Sequence, residues 1–422
     1  MIRYMMRCKI LLVALLATVL AEHAQPQTGT PAPNPQQQLL AALAKIVEKH
    51  PRHVGAIYVA ARTAAGLGDK ATAIHWLDRL AAVGMGDELD PDDFGALVDT
   101  DAYRERAARF AAKAPPIGKP ERTRELRCGD ILPEGTAWDP KRRELLVSSG
   151  RRRTVVAIDA QGNCRDVVPQ GDRGLMAVLG MMVDPATDSL WVASTAAPFM
   201  IDRTPENAGR AMLARIDLAL GRVVDLYPLA GHAMLNDLTR TRDGSVYVTD
   251  SQRGAVWRLP RGGNALVEAL PAETFESPNG IVALESGALL VADFDGLAIV
   301  ESPGSKAPRV RRLATPSDLY LGGIDGLARS GPRVVAIQNL VGRTRIWAIT
   351  LDTANGRVTQ AKVLMRGHPD FRNPTTGVIV GDRLLFLADP KLQTVAPDGG
   401  VTPLPAGRTG HRLLEISIVD RR

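Results

Sequence analysis

Four residues of the chain could together bind a divalent cation, namely Glu134, Asn236, Asn279 and Asp325. Their side chains supply only oxygen atoms and two negative charges. Such a set suits a hard ion, most naturally Ca²⁺, with water completing roughly six to eight positions; Zn²⁺, Mn²⁺ and Mg²⁺ are the alternatives. Asn and Asp before Gly are also ordinary turn residues. What distinguishes these four is their place in a repeat.

The repeated unit starts with a polar or otherwise unusual residue, usually followed by Gly, and continues into two apolar runs separated by a turn. Six units begin 43 to 57 residues apart, at Glu134, Leu179, Asn236, Asn279, Asp325 and Thr376. This spacing is typical of a propeller blade, a four-stranded sheet that cannot bury both faces alone. The sequence therefore predicts a mainly β fold, a six-bladed β-propeller, whose innermost strands bring the leading residues together near one end of the channel.

The segments around the four residues carry a resemblance to a known family. They are Pro133-Glu134-Gly135-Thr136-Ala137-Trp138-Asp139-Pro140, Leu235-Asn236-Asp237, Ser277-Pro278-Asn279-Gly280 and Ile324-Asp325-Gly326. They resemble the regucalcin/gluconolactonase (SMP-30) family, and the related six-bladed paraoxonases are similar in the same places. The resemblance covers residues 124–420 and leaves the N-terminal helices outside. It implies a divalent metal at Glu134, Asn236, Asn279 and Asp325, and hydrolysis of a lactone or related ester.

The chain departs from this family at two positions. Gluconolactonase-type members carry Arg two residues before the first Asn, where this chain has Met234. Paraoxonases carry a His in the second blade, where this chain has Leu179-Gly180-Met181. Together with Met200, these apolar residues replace partners for sugar hydroxyls, and an unpaired buried hydroxyl costs about 1–3 kcal/mol. The sequence therefore predicts a preference for alkyl lactones or esters over gluconolactone.

The implied chemistry is electrophilic, because a bound cation polarises the substrate carbonyl while a base activates water. Asp325 belongs to the catalytic centre in this hypothesis. His232 precedes the third unit and His368 the sixth, and either is a candidate base. A surface or structural role is the alternative for both histidines. Asp250 and Asp293, at the ends of predicted second strands, are further candidates.

Two functions stay open from the sequence. One is a metal-dependent hydrolase with a small-molecule lactone or ester substrate, and the other is a non-catalytic propeller that binds a ligand or protein around a structural metal. The chain has no Gly-x-Ser-x-Gly, Cys-x-x-Cys, His-Glu-x-x-His or phosphate-loop motif. Serine nucleophile chemistry, structural zinc and nucleotide use are therefore disfavoured.

Residues 1–21 are typical of an export signal, with basic residues before the apolar run 10–20 and small residues at the cleavage position. The run is short for a membrane span, so we expect a periplasmic or secreted protein without stable membrane insertion after cleavage; a retained anchor is the alternative. The net charge is +6, and three of these charges lie in the signal. The sequence has no stripe of basic residues interleaved with aromatic residues, so it does not indicate nucleic-acid binding. Whether Cys128 and Cys164 pair is left open.

The rest of the chain divides into four predicted segments. They are a flexible spacer at 22–36, a helical domain at 37–113, a Pro-rich linker at 114–120 and the propeller at 121–422. The helices resemble a tetratricopeptide repeat, and either cap the propeller or bind a partner protein. The linker predicts that they are separable from the propeller. A strand at 124–131 is expected to join the last blade and close the ring, because closure removes exposed edges.

Overall fold

The computed structural model of the chain describes residues 34–84, 89–112, 115–316, 319–339, 344–396 and 400–419. The predicted signal, 1–21, and most of the predicted spacer lie outside the described residues. One compact unit contains the described residues of Met1–Pro115 and Thr315–Gly322. The other contains those of Pro116–Ala314, Gly323–Asn339 and Thr344–Arg422. None of the helices in these ranges combines the length and apolar character needed to cross a membrane.

The first unit is helical. Its helices within the described ranges are α1 (Pro35–Lys49), α2 (Val54–Gly66), α3 (Lys70–Ala82) and α4 (Asp101–Ala112), with short 3₁₀ turns at Pro91–Asp93 and Gly95–Asp99. Helix α1 begins two residues before its predicted start, because the Asn34 side chain accepts a hydrogen bond from the Gln36 amide at 2.9 Å. Asn is a favourable cap and Pro35 is favourable in the first helical position. The likeness to a tetratricopeptide repeat stays a prediction.

The second unit contains six antiparallel four-stranded sheets in the described part of the chain. The first strands are β2 (Thr136–Asp139), β6 (Ala177–Asp184), β10 (Leu235–Arg240), β14 (Ile281–Ala283), β18 (Ile324–Ser330) and β22 (Gly377–Val380). The second strands are β3 (Glu144–Ser149), β7 (Ser189–Thr195), β11 (Val246–Asp250), β15 (Leu289–Asp293), β19 (Arg333–Gln338) and β23 (Arg383–Leu387). Each second strand pairs with the first strand of its blade.

Two more strands complete each sheet. The third strands are β4 (Thr154–Ile158), β8 (Ala211–Asp217), β12 (Ala255–Leu259), β16 (Gly296–Glu301), β20 (Arg345–Asp352) and β24 (His411–Ser417). The outer strands are β5 (Cys164–Asp166), β9 (Arg222–Leu229), β13 (Val267–Leu270), β17 (Arg309–Arg312), β21 (Arg357–Arg366) and, for the sixth sheet, β1 (Arg122–Leu126). First strands of neighbouring sheets contact one another in order from β2 to β22 and back to β2. The predicted six-bladed propeller is therefore confirmed.

The N-terminal strand closes the ring, as the sequence predicts. Strand β1 pairs antiparallel with β24, with Arg122 opposite Glu415 and Leu126 opposite His411. It ends at Leu126, before its predicted bound at residue 131, and Gly129 within the predicted range has φ +69°, outside the β region. Strand β24 is the third strand of the last blade.

The core lies between adjacent blades. Ala137 and Leu146 of the first blade share one hydrophobic cluster with Val178 and Leu190 of the second. Every residue of β15 is buried, as expected for sheets covered on both faces. Apolar second strands are therefore the clearest element signal in the sequence.

A disulfide bond joins Cys128, just after β1, to Cys164 at the start of β5, with the Cα atoms 5.1 Å apart. The sequence leaves this pairing open. The bond ties the segment that closes the sixth blade to the outer strand of the first blade. Pairing of this kind is typical of proteins folded in oxidising compartments.

Candidate functional site

Glycines let the first strands of neighbouring blades approach each other closely. A Cβ atom added to Gly135 would lie 2.1 Å from the Leu179 carbonyl oxygen, and one on Gly180 would lie 2.4 Å from the Asn236 carbonyl oxygen. The same crowding occurs at Gly280 beside the Asp325 carbonyl (3.2 Å) and at Gly326 beside the Thr375 carbonyl (2.5 Å). The repeated glycine therefore has a steric reason, because any side chain would meet the next strand's backbone.

Threonine hydroxyls complete this ring of first strands. Thr249 Oγ1 donates to the Asn279 carbonyl at 2.8 Å, which joins the third blade to the fourth. Thr375 Oγ1 donates to the Glu134 carbonyl at 2.6 Å, which joins the sixth blade to the first. The leading residues of the repeat thus belong to one closed ring of adjacent backbones.

The Asp325 carboxylate lies between two asparagine side chains. Asn279 Nδ2 donates to its Oδ1, and Asn339 Nδ2 donates to its Oδ2. All three residues are at least nine-tenths buried, with exposed fractions of 6% for Asn279, 4% for Asp325 and 5% for Asn339. The structure therefore brings two of the four predicted ligands, Asn279 and Asp325, into direct contact.

The two amide oxygens beside this carboxylate lack hydrogen-bond partners. Asn279 Oδ1 and Asn339 Oδ1 are buried, and neither accepts a hydrogen bond among the described residues. A buried acceptor without a partner costs about 1–3 kcal/mol. Carboxylate and amide oxygens are the donors that Ca²⁺ prefers. The residues present therefore fit a hard divalent ion.

The other two predicted ligands have different partners. Asn236 Nδ2 donates to Ser251 Oγ at 3.0 Å, and Ser251 Oγ donates to the Pro278 carbonyl at 2.6 Å. Glu134 Oε2 lies 3.5 Å from Lys391 Nζ, which also lies 5.7 Å from the centroid of the Phe199 ring. Asn236 is thus tied to the next blade, and Glu134 is compensated by a lysine.

The described ranges contain no metal-binding group of three or more His, Cys, Asp or Glu side chains. The predicted ligands include only two residues of these types, Glu134 and Asp325. The site depends on amide oxygens for the rest of its donors.

Asp237 is the second buried carboxyl group on this ring. Its Oδ1 accepts from the Leu238 amide at 2.9 Å. Burial raises the pKa of Asp237 to about 7, against the lowering effect of the Leu238 and Ile281 amide donors, and the nearby Asp325 charge raises it further. Asp237 therefore links the backbones of the third and fourth blades beside Asp325.

The two predicted histidines differ in environment. His232 is exposed on the loop before β10, with its backbone carbonyl accepting from Arg253 Nε at 2.8 Å. His368 Nδ1 accepts from the Asp370 amide at 3.2 Å. Burial lowers the pKa of His368, partly offset by the Asp370 carboxylate. A neutral ring that accepts at Nδ1 carries its proton on Nε2, which leaves His368 no free lone pair to act as a base.

Asp250 and Asp293 are structural anchors in this fold. Asp250 Oδ1 accepts from the Met234 amide at 3.1 Å, and its Oδ2 accepts from Trp257 Nε1 at 3.2 Å. Asp293 accepts from both terminal nitrogens of Arg312 at 2.5 Å. Both carboxylates are almost fully buried and bonded, so the structure gives no support to their predicted candidacy as bases.

The predicted apolar pocket is only partly present. Met181 packs in the core cluster between the first two blades, so its predicted place at the substrate is wrong. Leu179 and Met200 are buried as well, with exposed fractions of 2% and 5%. Met234 alone of the four is exposed, at 38%. The case for an alkyl substrate therefore depends on Met234.

Sequence reasoning missed two residues of the site, Asn339 and Lys391. Asn339 directly follows β19, whereas the repeat draws attention to the starts of first strands. A signal was present, because Ser251 follows β11 in the same way. Lys391 lies in the loop after β23, away from the leading positions of the repeat.

The fold defines the protein as a six-bladed β-propeller with a separate helical unit. No protein-family model matches the sequence, and no curated protein sequence matches it. Among solved structures, it is similar to the PQQ-bound aldose sugar dehydrogenase of Streptomyces coelicolor, at 17% identity and a TM-score of 0.49, covering 72% of this chain and 98% of that one.

Two further structures are similar at the same level. One is a gluconolactonase from Xanthomonas campestris, at 18% identity and a TM-score of 0.47, covering 65% of this chain and 92% of that one. The other is virginiamycin B lyase from Staphylococcus aureus, at 13% identity and a TM-score of 0.44, covering 71% and 99%. Likenesses at this level carry no argument about activity, which depends on the site itself.

Proposed function

We propose that the chain is a divalent-cation-dependent hydrolase of a lactone or related ester. The observation that carries this proposal is the buried Asp325 carboxylate between two asparagines whose carbonyl oxygens lack partners. Buried polar groups are normally paired, so an arrangement that leaves two acceptors beside a carboxylate favours a positively charged ligand. The family resemblance of the surrounding motifs supplies the reaction class.

The chain's residues have distinct roles in this proposal. Asp325 and Glu134 supply negative charge, while Asn236 and Asn279 supply neutral oxygen donors. When bound at these residues, a divalent ion would polarise the carbonyl of a lactone and stabilise the negative charge that develops on its oxygen. The ring of first strands holds the donors rigidly, since a shift of one strand would bring backbone atoms into contact at the glycines. Ca²⁺ is the ion that we propose, with Mn²⁺, Mg²⁺ and Zn²⁺ as alternatives.

We assign the base to His232 in preference to His368. His232 is exposed and precedes Asn236 by four residues, so its ring is free to exchange a proton with water. His368 uses Nδ1 as an acceptor for a backbone amide. Replacing His232 with Gln should lower kcat by about 10²-fold or more, whereas His368→Gln should leave kcat nearly unchanged.

The second candidate function is a non-catalytic propeller that binds a ligand or a protein partner around a structural ion. The Lys391 ammonium group favours it, because a lysine 3.5 Å from Glu134 already compensates one of the proposed ligands. The missing Arg and His of the related families favour it too. Cation binding without turnover of any lactone or ester would support this alternative.

We also propose export to the periplasm or the medium. The signal-like residues 1–21 and the bond between Cys128 and Cys164 support this, because disulfides persist in oxidising compartments. A tagged full-length chain should be recovered from the periplasm or medium with its signal removed.

The test is hydrolysis of a lactone and ester panel, including gluconolactone and an alkyl lactone of equal ring size, with and without chelator. We expect activity that chelation abolishes and added Ca²⁺ restores. Asp325→Asn should lose both activity and calorimetric Ca²⁺ binding, because it removes a negative ligand. Activity that survives chelation, or an Asp325→Asn variant that binds Ca²⁺ as tightly as the parent, would contradict the proposal.

A further inference from the structure

Asn339 bridges two neighbouring blades and contacts Asp325. Its Nδ2 donates to Asp325 Oδ2 and, at 2.6 Å, to the carbonyl of Pro374, which precedes the first strand of the sixth blade. The side chain is 5% exposed. One end of the amide is therefore fully bonded, and this end fixes the orientation of the group.

The third blade uses the same position without an amide. Ser251 directly follows β11, accepts from Asn236 Nδ2, and donates to the carbonyl of Pro278 ahead of the fourth blade. The residue after the second strand therefore contacts the leading residue of its own blade and a proline carbonyl of the next. A hydroxyl is sufficient in the third blade because Asn236 donates to it, whereas Asn339 must donate both to Asp325 and to the Pro374 carbonyl.

The structural role leaves the carbonyl end of Asn339 unexplained. Asn339 Oδ1 is buried and has no hydrogen-bond partner among the described residues. The two N–H donors of Asn339 account for its bonds to Asp325 and Pro374, but they do not account for a carbonyl oxygen buried without a partner. The cost of such an acceptor indicates a ligand.

We propose that Asn339 Oδ1 is a further ligand of the cation bound at Asp325, an inference that depends on the proposed cation site. Nδ2 and Oδ1 of Asn339 are bonded to the same carbon, and Nδ2 contacts Asp325 Oδ2. Oδ1 therefore lies within about 5 Å of Asp325 Oδ2 by standard bond lengths. Asn279 Oδ1 is unpartnered in the same way on the other side of the carboxylate. The cation would thus be bound by an amide oxygen on each side of Asp325.

The test compares three full-length variants with the parent. Asn339→Ser keeps a donor for the Pro374 carbonyl, as Ser251 does for Pro278. It has no side-chain carbonyl oxygen that could reach the ion. Asn339→Asp keeps the oxygen and adds charge. The control is Asn355→Ser, because Asn355 donates to the Asp352 carboxylate at 2.9 Å in an exposed turn. Ca²⁺ binding is measured by calorimetry, and bound water is counted from Tb³⁺ luminescence lifetimes in H₂O and D₂O.

We expect Asn339→Ser to weaken Ca²⁺ binding by about 10-fold or more and to gain one water on Tb³⁺. Asn339→Asp should bind at least as tightly as the parent, and Asn355→Ser should match it. Equal affinity and water count in the parent and Asn339→Ser would overturn this inference alone. If Asn339→Ser and Asn339→Asp both weakened Ca²⁺ binding and left the number of bound waters unchanged, the inference would also be overturned. Asn339 would then only position Asp325. A parent that binds no divalent ion would overturn both this inference and the proposed function.

Discussion

Charged side chains join the turns of the first two blades. Asp188 accepts hydrogen bonds from Lys141 Nζ at 2.5 Å and from Arg142 Nη1 at 2.7 Å. These donors lower the pKa of Asp188 to about 2, with Arg142 the larger cause. A lowered carboxyl pKa stabilises the fold above the ordinary value of 3.8, and this contribution is lost as the pH falls towards 2.

Replacing Asp188 with Asn should therefore lower the free energy of unfolding at neutral pH by about 0.5–1 kcal/mol, the range of partly exposed ion pairs. Asn tolerates the φ of +48° at this position, so the change removes charge without strain. Urea unfolding from neutral pH down to about pH 3 measures the effect, which should shrink below pH 3.8, where the unfolded chain's Asp188 takes up its proton while the folded carboxylate is still ionised. Asp382→Asn, at a carboxylate 65% exposed, is the control. A pH-independent difference between Asp188→Asn and the parent would rule out this assignment.

At the residue scale, the sequence predicts the site from the equivalent positions that residues occupy in the repeated unit. Glu134, Asn236, Asn279 and Asp325 lead their blades, and the structure joins Asn279 to Asp325. Position in the repeat cannot reveal Asn339, because its role depends on which atoms of its side-chain amide have no hydrogen-bond partner. Nor can it separate Met181 from Met234, since only packing decides which side chain enters the core.

At the element scale, the glycines after four of the leading residues control how closely first strands pack; they are Gly135, Gly180, Gly280 and Gly326. Gly180 offers the sharpest test because its Cβ would also lie 2.7 Å from the Asp237 Cα, a backbone atom of β10. Gly180→Ala should destabilise the protein by about 1–3 kcal/mol, the usual cost of overpacking. It should also weaken Ca²⁺ binding, because the backbone of Asn236 must move.

Thermal unfolding and calorimetry measure these effects. Gly66→Ala in α2 is the control, since an added Cβ meets nothing within 4 Å there. The control should be neutral or slightly stabilising, because Ala favours helix. If Gly180→Ala matched the control in stability and binding, the close approach of β6 and β10 would not limit the site.

Strands were predictable from apolar runs and their ends were not. The sequence locates all six second strands, since blades covered on both faces require continuous apolar residues. It misplaces the end of β1, because the positive φ of Gly129 and Leu132, just after the disulfide-bonded Cys128, does not show in the apolar pattern. The alternation of strands can be read locally, whereas backbone conformation in turns depends on distant contacts.

At the scale of the whole molecule, the helical unit also includes a segment from much later in the chain. The segment Thr315–Gly322 belongs to the same compact unit as the helices. Arg52 donates to Thr315 Oγ1 at 3.1 Å and to the Leu319 carbonyl at 2.8 Å. The chain then enters β18 at Ile324, next to Asp325. The sequence prediction that the helices are separable treats them as independent of this segment.

We expect Arg52→Ala to weaken Ca²⁺ binding, because it releases a segment that ends only a few residues before Asp325. Hydrogen bonds to a charged group contribute about 1.5–3 kcal/mol. Part of this loss should appear as a lower Tm, and part as an affinity several-fold below that of the parent. Calorimetry on the full-length chain measures the affinity. Arg104→Ala, which removes an exposed pair with Asp101 in α4, is the control and should leave Ca²⁺ binding unchanged. If Arg52→Ala bound Ca²⁺ as tightly as the parent, the cation site would be independent of the helices, as the Pro-rich linker predicts.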